Sequence, residues 1–355
     1  IGSIRPGLYG AWNGWIWCMM TKKSLGVRVE ERIVPFPASV SAEALEVLEK
    51  LVGQDGVPVN AGYKMPDVQD FDGWMRIKAA VAAQYSAHAE TLSATLRATV
   101  ETRAVDDATI HVATPEAMAN ADHALMDLHG GALVFGGGDA CRIAARRQAD
   151  QHKILCYGVD YRMPPEHPYP AGLDDCIATY RHMLARHRPE HIVIGGRSAG
   201  GNLAAAMLLR AREEGLPMPA ALVLLSPEVD LTESGDSFAI NQMVDVMLPG
   251  SLMDQNLLYA DGADLTDPRL SPLFGDLTAF PPTFLQAGTR DLFLSNAVRM
   301  HRALRRAGVD AELHIFEGMP HGGFMGQAPE DRELIEEIGR FMQRHLKRGD
   351  EGPAG

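Results

Sequence analysis

The sequence predicts an α/β protein with a mostly parallel central sheet, helices on both of its faces and a helical cap. Three observations predict it. From about residue 100 onward, short apolar runs alternate with amphipathic helical stretches. Those runs are continuously apolar, as expected of strands buried on both faces. The first hundred residues instead carry helical spacing without strand signals. That contrast sets residues 1–99 apart as an N-terminal cap region from an α/β domain over 100–355.

In chain order, Pro35 to Pro37 makes a stiff extended piece, and Ser41-Ala42-Glu43-Ala44 opens a helix with a capping-box-like start. Asp55-Gly56-Val57-Pro58 is turn chemistry. An Ala-rich helical stretch runs from about Asp72 to Val100. Strands are expected at Ile110–Val112, Ala124–Leu128, Ile154–Val159, Ile192–Ile194, Ala221–Leu225, Thr283–Gln286 and Leu313–Phe316. Helices are expected between them, notably at Ala199–Glu213, Ser295–Ala307 and Asp331–Leu346. The stretch 231–273 breaks this rhythm and reads as an additional cap segment. Ligands of such sheets sit at the carboxyl ends of the strands, so the residues just after each strand carry the functional information.

Composition removes several function classes. The 355 residues include 33 Lys plus Arg in no basic run, with a net charge of -13. Nucleic acid is therefore not an expected partner, since phosphate binding needs clustered cations. No stretch reaches the roughly eighteen apolar residues of a membrane helix, so no membrane partner is expected either. Cys18, Cys141, Cys156 and Cys176 lack the paired spacings of a zinc site and read as buried thiols. The His residues form no HExxH-like cluster, so no metal is expected. The location expected by default is the cytoplasm; the start at Ile1 leaves an export signal already removed as an alternative.

The chemistry begins after the run Ile192–Ile194. There Gly196-Arg197-Ser198-Ala199-Gly200 forms Gly-x-Ser-x-Gly between a strand and a helix, the context a nucleophile elbow requires. The turn is too sharp for side chains beside the serine, and its strain lifts Oγ clear of the sheet. A serine needs a base, and the base needs an orienting acid. Asp291 follows the strand Thr283–Gln286, and His321 follows Leu313–Phe316, in the order Ser, acid, His. A tetrahedral intermediate also needs amide donors. Gly130 and Gly131, from His129-Gly130-Gly131-Ala132, supply them with Ala199; Ala132 is the alternative to Gly130. The run Gly136–Gly138 lacks a following Lys-Ser/Thr, so it reads as flexibility at the pocket entrance rather than a phosphate loop.

Residues 100 to 345 resemble the bacterial hormone-sensitive-lipase-like esterases. The resemblance rests on His129-Gly130-Gly131, on Gly196 to Ala204, and on the segment Asp160-Tyr161-Arg162-Met163-Pro164-Pro165-Glu166-His167-Pro168-Tyr169-Pro170-Ala171. In that segment Arg162 and Glu166 are placed to pair and pin the loop. The resemblance implies an α/β-hydrolase fold, the triad Ser198, Asp291 and His321, a cap built largely from the N-terminus, and no cofactor. It also makes a homodimer a reasonable assembly.

The sequence departs from the family in three places. Arg197 stands where Asp or Thr is usual; it either pairs with a carboxylate beneath the elbow or contacts substrate near the acyl site. Ala132 replaces a third glycine, which is tolerable if its φ stays negative. Glu228 replaces an aromatic or apolar residue, as a polar substrate contact or as a solvated rim residue. The expected activity is hydrolysis of a small to medium carboxylic ester through an acyl-enzyme. Trp12, Trp15 and Trp17 as a lid would suit bulky esters, sulfonylurea-like xenobiotics among them by association. Two readings compete with this. One is an amidase, carbamate or lactone hydrolase with the same triad. The other is a non-catalytic ligand-binding protein on a hydrolase fold, which would typically lack a triad member.

Overall fold

The computed structural model describes residue 27 and residues 29–351. The chain divides into two compact units, Ile1–Pro35 and Phe36–Gly355. The described residues of the first carry no helix or strand. Cys18 and the three tryptophans expected to form a lid lie outside the described residues.

The second unit is built on an eight-stranded sheet. In chain order its elements are α1 (Ala42–Lys50), α2 (Phe71–Ser93), β1 (Thr99–Val105), β2 (Ala108–Thr114), β3 (Ala124–Leu128), α3 (Asp139–His152), β4 (Leu155–Asp160) and α4 (Ala171–Leu184). They continue with β5 (Ile192–Arg197), α5 (Ala199–Glu213), β6 (Ala221–Leu225), α6 (Ser237–Ile240), α7 (Met253–Ala260), β7 (Thr283–Gly288), α8 (Leu294–Arg306), β8 (Ala311–Phe316) and α9 (Pro329–Glu351). The strand order is β1-β2-β4-β3-β5-β6-β7-β8. β2 runs antiparallel to β1 and β4, and the strands from β4 to β8 pair in parallel.

The continuous apolar runs fill two cores because successive strand side chains point to opposite faces. Met126, Ile194 and Leu224 join α4, α5 and α8 on one face, while Leu125, Val193 and Val223 meet α3 and α9 on the other. Each such side chain fully buried stabilises the fold by about 1.5–3 kcal/mol. Two smaller clusters bring the N-terminal helices to the carboxyl ends of the strands. α1 packs Ala44, Val47 and Leu48 against Val246, Met319 and Phe324. Trp74 of α2 packs against Val134 and Leu258.

α1 and α2 belong to the same compact unit as the sheet. Two expectations need correction. The helix ends at Ser93, and Thr99–Val105 is a strand. Its polar pattern hid it, because an exposed edge strand needs only its pairing with β2. Arg162 does not pair with Glu166; it binds Asp175 of α4, with Nη2 2.8 Å from Oδ1. Asp175 is 1% exposed and needs a cation more than the exposed Glu166 does. Glu166 pairs with Lys78 of α2, which also donates to the Pro164 carbonyl at 2.8 Å. No helix among the described residues is long and apolar enough to cross a membrane.

Candidate active site

Ser198 joins β5 to α5 with φ 56° and ψ −122°, in the strained positive-φ half of the Ramachandran map. Its surroundings hold it there. Its N–H donates to the Leu225 carbonyl at 2.9 Å, and its carbonyl accepts from Gly201 at 2.9 Å and Glu228 at 3.2 Å. The flanking glycines are sterically required. A Cβ on Gly200 would stand 1.9 Å from the Leu128 carbonyl oxygen, and one on Gly196 would stand 2.2 Å from that of Gly200. The elbow can thus fold only against bare backbone.

Asp291 and His321 arrive on the loops after β7 and β8, at the same end of the sheet as the elbow. His321 Nδ1 lies 3.1 Å from Asp291 Oδ1, which also accepts the Phe293 N–H at 2.8 Å. Asp291 is fully buried, His321 is 9% exposed, and the Phe293 ring stands edge-on to the imidazole at 4.8 Å. The acid is thus confined and desolvated, while the base keeps access to solvent. Ser198 Oγ forms no hydrogen bond among the described residues; such contacts commonly tighten only when substrate binds.

The loop after β3 presses on the elbow. A Cβ on Gly130 would stand 3.3 Å from Ser198 Cβ and 3.1 Å from the Arg197 carbonyl oxygen. The chain then turns sharply, with the Gly131 carbonyl accepting from Val134 at 3.0 Å and Phe135 at 2.8 Å. Among the described residues, no acceptor takes the N–H of Gly130, Gly131, Ala132 or Ala199. Free amides beside a serine are what a developing oxyanion requires, and the choice between Gly130 and Ala132 stays open. Ala132 has φ 52°, not the negative value that its methyl would favour. That methyl packs with Leu252, Leu292 and Phe293, which opposes the strain. In the neighbouring glycine run, Gly136 is required by close packing. A Cβ on Gly136 would stand 2.4 Å from the Gly130 carbonyl oxygen.

His129 itself stacks on Tyr161, with ring centroids 4.1 Å apart, and Tyr161 donates to the His129 carbonyl at 2.8 Å. Burial holds the His129 imidazole below its ordinary range, so it stays neutral. Tyr161 thus braces the oxyanion loop, a role that its place in the Asp160–Ala171 segment did not reveal.

The two open residues resolve differently. Arg197 Nη1 donates to the Gly322 carbonyl at 3.0 Å. Its side chain also lines a cavity of about 30 Å³ beneath the elbow with Asp127, Gln148 and His152. Its direct partner is therefore a backbone carbonyl beside His321, rather than a carboxylate. Glu228 is 0% exposed, so it is not a solvated rim residue. Burial pushes its carboxyl up to about 8, with the Asn256 amide beside it opposing the rise only in part.

One residue at the site carried no signal in the sequence. Asp245, from the segment between β6 and β7, is fully buried, and a carboxylate oxygen of it lies within 4.8 Å of an Asp291 carboxylate oxygen and a His321 ring nitrogen. It accepts the Met247 N–H at 3.0 Å, which reads in sequence as an ordinary Asx turn.

A family profile described as the alpha/beta hydrolase fold matches residues 125–325. An esterase from Acinetobacter venetianus is 32% identical over 68% of this chain and 82% of its own length. The crystal structure of an esterase E25 aligns with a TM-score of 0.84 and 35% identity, covering 90% of this chain and 99% of that one. An esterase from the bacterial hormone-sensitive lipase family aligns with a TM-score of 0.71 and 29% identity, covering 86% and 99%.

Proposed function

The chain belongs to the alpha/beta hydrolase fold family, among the bacterial hormone-sensitive-lipase-like carboxylesterases, and is a carboxylic ester hydrolase; on that premise we propose that it cleaves small to medium esters through an acyl-enzyme on Ser198. His321 takes the Ser198 proton as Oγ attacks the ester carbonyl. The tetrahedral oxyanion is received by the N–H groups of Ala199, Gly131 and either Gly130 or Ala132. As the intermediate collapses, His321 returns the proton to the departing alcohol and the acyl group stays on Oγ. Water then attacks the acyl carbon as His321 again accepts a proton, and collapse of the second tetrahedral intermediate passes that proton to Ser198 Oγ and releases the carboxylic acid, which ionises in solution. Asp291 fixes the tautomer that leaves Nε2 free to accept, and it stabilises the imidazolium.

One observation carries this reading. A buried Asp291 carboxylate holds His321 Nδ1 at 3.1 Å, at the sheet end where a serine is locked at φ 56°. We place the protein in the cytoplasm by default; no helix among the described residues is long and apolar enough to cross a membrane. Ser198→Ala should lower hydrolysis of p-nitrophenyl butyrate by about 10³-fold or more, with circular dichroism unchanged. Undiminished turnover by the folded variant would contradict the assignment. A panel varying acyl length and alcohol bulk, with matched amides, then sets the preferred substrate.

A further inference from the structure

The imidazole of a general base is only as well placed as the backbone that carries it. Here that backbone is His321-Gly322, in a loop where Gly322 has φ 75° and Gly323 has φ 88°. A loop so rich in glycine has no stiffness of its own. Two side chains from elsewhere in the fold grip it. From the segment between β6 and β7, both oxygens of Asp245 accept the His321 N–H, each at 3.3 Å. From the nucleophile elbow, Arg197 Nη1 donates to the Gly322 carbonyl at 3.0 Å.

Asp245 reaches further than this one bond. Its Oδ2 accepts the Leu292 N–H at 2.7 Å, one residue beyond the triad acid, and its Oδ1 accepts from Leu248 at 3.2 Å. One carboxylate therefore ties the acid loop, the base loop and its own turn together. Asn241, from the same segment, donates to the Asp291 carbonyl at 2.8 Å. Val246, next in the chain, packs with Met319 and Phe324 on either side of the base. Arg197 links the base loop to the elbow, since it directly precedes the nucleophile.

We propose that Asp245 and Arg197 are a pair of positioning residues that clamp His321-Gly322, one at the His321 N–H and the other at the Gly322 carbonyl, and hold the general base in register with Asp291 and Ser198. This rests on the triad reading above. The clamp also accounts for an arginine beside the nucleophile in a sequence family that usually has Asp or Thr there. Burial and the nearby Asp291 charge push the Asp245 carboxyl above its ordinary range. Placing two carboxylates beside one imidazole is costly. The four amide donors on Asp245, from Met247, Leu248, Leu292 and His321, offset that cost.

The test uses the full chain at pH 8, with kcat expressed per titrated active site. Asp245→Asn turns an amide NH₂ toward N–H donors, and Arg197→Met keeps bulk but removes the donor. Each should lower kcat by roughly 10–100-fold with KM within about threefold, as loss of alignment does. The double variant should lose little more than the worse single one, because both grips hold the same segment. Wild-type kcat in either folded single variant would overturn the clamp, and so would a loss confined to KM. Should Asp245→Asn fail to fold, hydrogen exchange in the wild-type protein decides. The His321 and Leu292 amides should exchange far more slowly than their loop neighbours, and equal exchange would overturn the proposal. Ser198→Ala, run in parallel, separates the two readings. Activity that survives it sinks the triad, while activity lost there but kept in the clamp variants sinks only the clamp.

Discussion

At the end of β6 the carboxyl of Glu228 is shut away from solvent, in a position where an ionised group would lack compensation. The folded protein holds its proton up to about pH 8, while the unfolded chain releases it near the ordinary glutamate value of 4.5. The stability of the neutral form is therefore complete below pH 4.5 and is lost progressively as pH rises toward 8. Glu228→Gln keeps the shape and the neutrality. Its melting temperature should fall less than that of the wild type between pH 5 and 8, by an amount equivalent to about 2–4 kcal/mol at the upper end. Parallel melting curves would mean that Glu228 is not held neutral. At this scale the triad was legible because a rare motif, a fixed residue order and three strand ends coincide. Glu228 was visible only as a departure, since burial is a property of the packing around it. Asp245 was invisible, because an Asx turn looks the same wherever its oxygens point.

The elements are joined across long sequence distances by single polar contacts. Ser41 caps α1 by accepting the Ala44 N–H at 3.1 Å. The same residue donates its N–H and its Oγ–H to the two Glu330 oxygens of α9, both at 2.8 Å. Ser41→Ala removes the cap and one of the two bonds to Glu330, and should cost about 1–2 kcal/mol in urea unfolding. kcat should change less than twofold, since α1 touches the base loop through apolar contacts that remain. A variant as stable as the wild type would show that α1 is held by packing alone. The Ser-x-x cap was readable from sequence, whereas its tether to α9 was not. Strands of continuous apolar residues were readable for the same reason that they are buried. β1 was missed because its partner, not its own hydrophobicity, makes it a strand.

Over the whole molecule, the sheet places three loops and one elbow on a common edge, and the cap helices are anchored to those same loops. Trp74 meets Val134 beside the oxyanion loop, and α1 meets Met319 beside the base. Cap and catalytic loops therefore belong to one compact unit. The composition contrast at residue 99 marks a change of element type, and helices can pack onto the sheet that follows them. The central claim is that ester hydrolysis passes through covalent Ser198. The most direct measurement is intact-protein and peptide mass spectrometry after reaction with a p-nitrophenyl alkylphosphonate, which mimics the tetrahedral intermediate and leaves slowly. We predict release of about one p-nitrophenolate per chain and a single adduct on the peptide carrying Ser198. Stoichiometric labelling of any other residue, or a Ser198→Ala variant that labels and turns over as fast as the wild type, would contradict it.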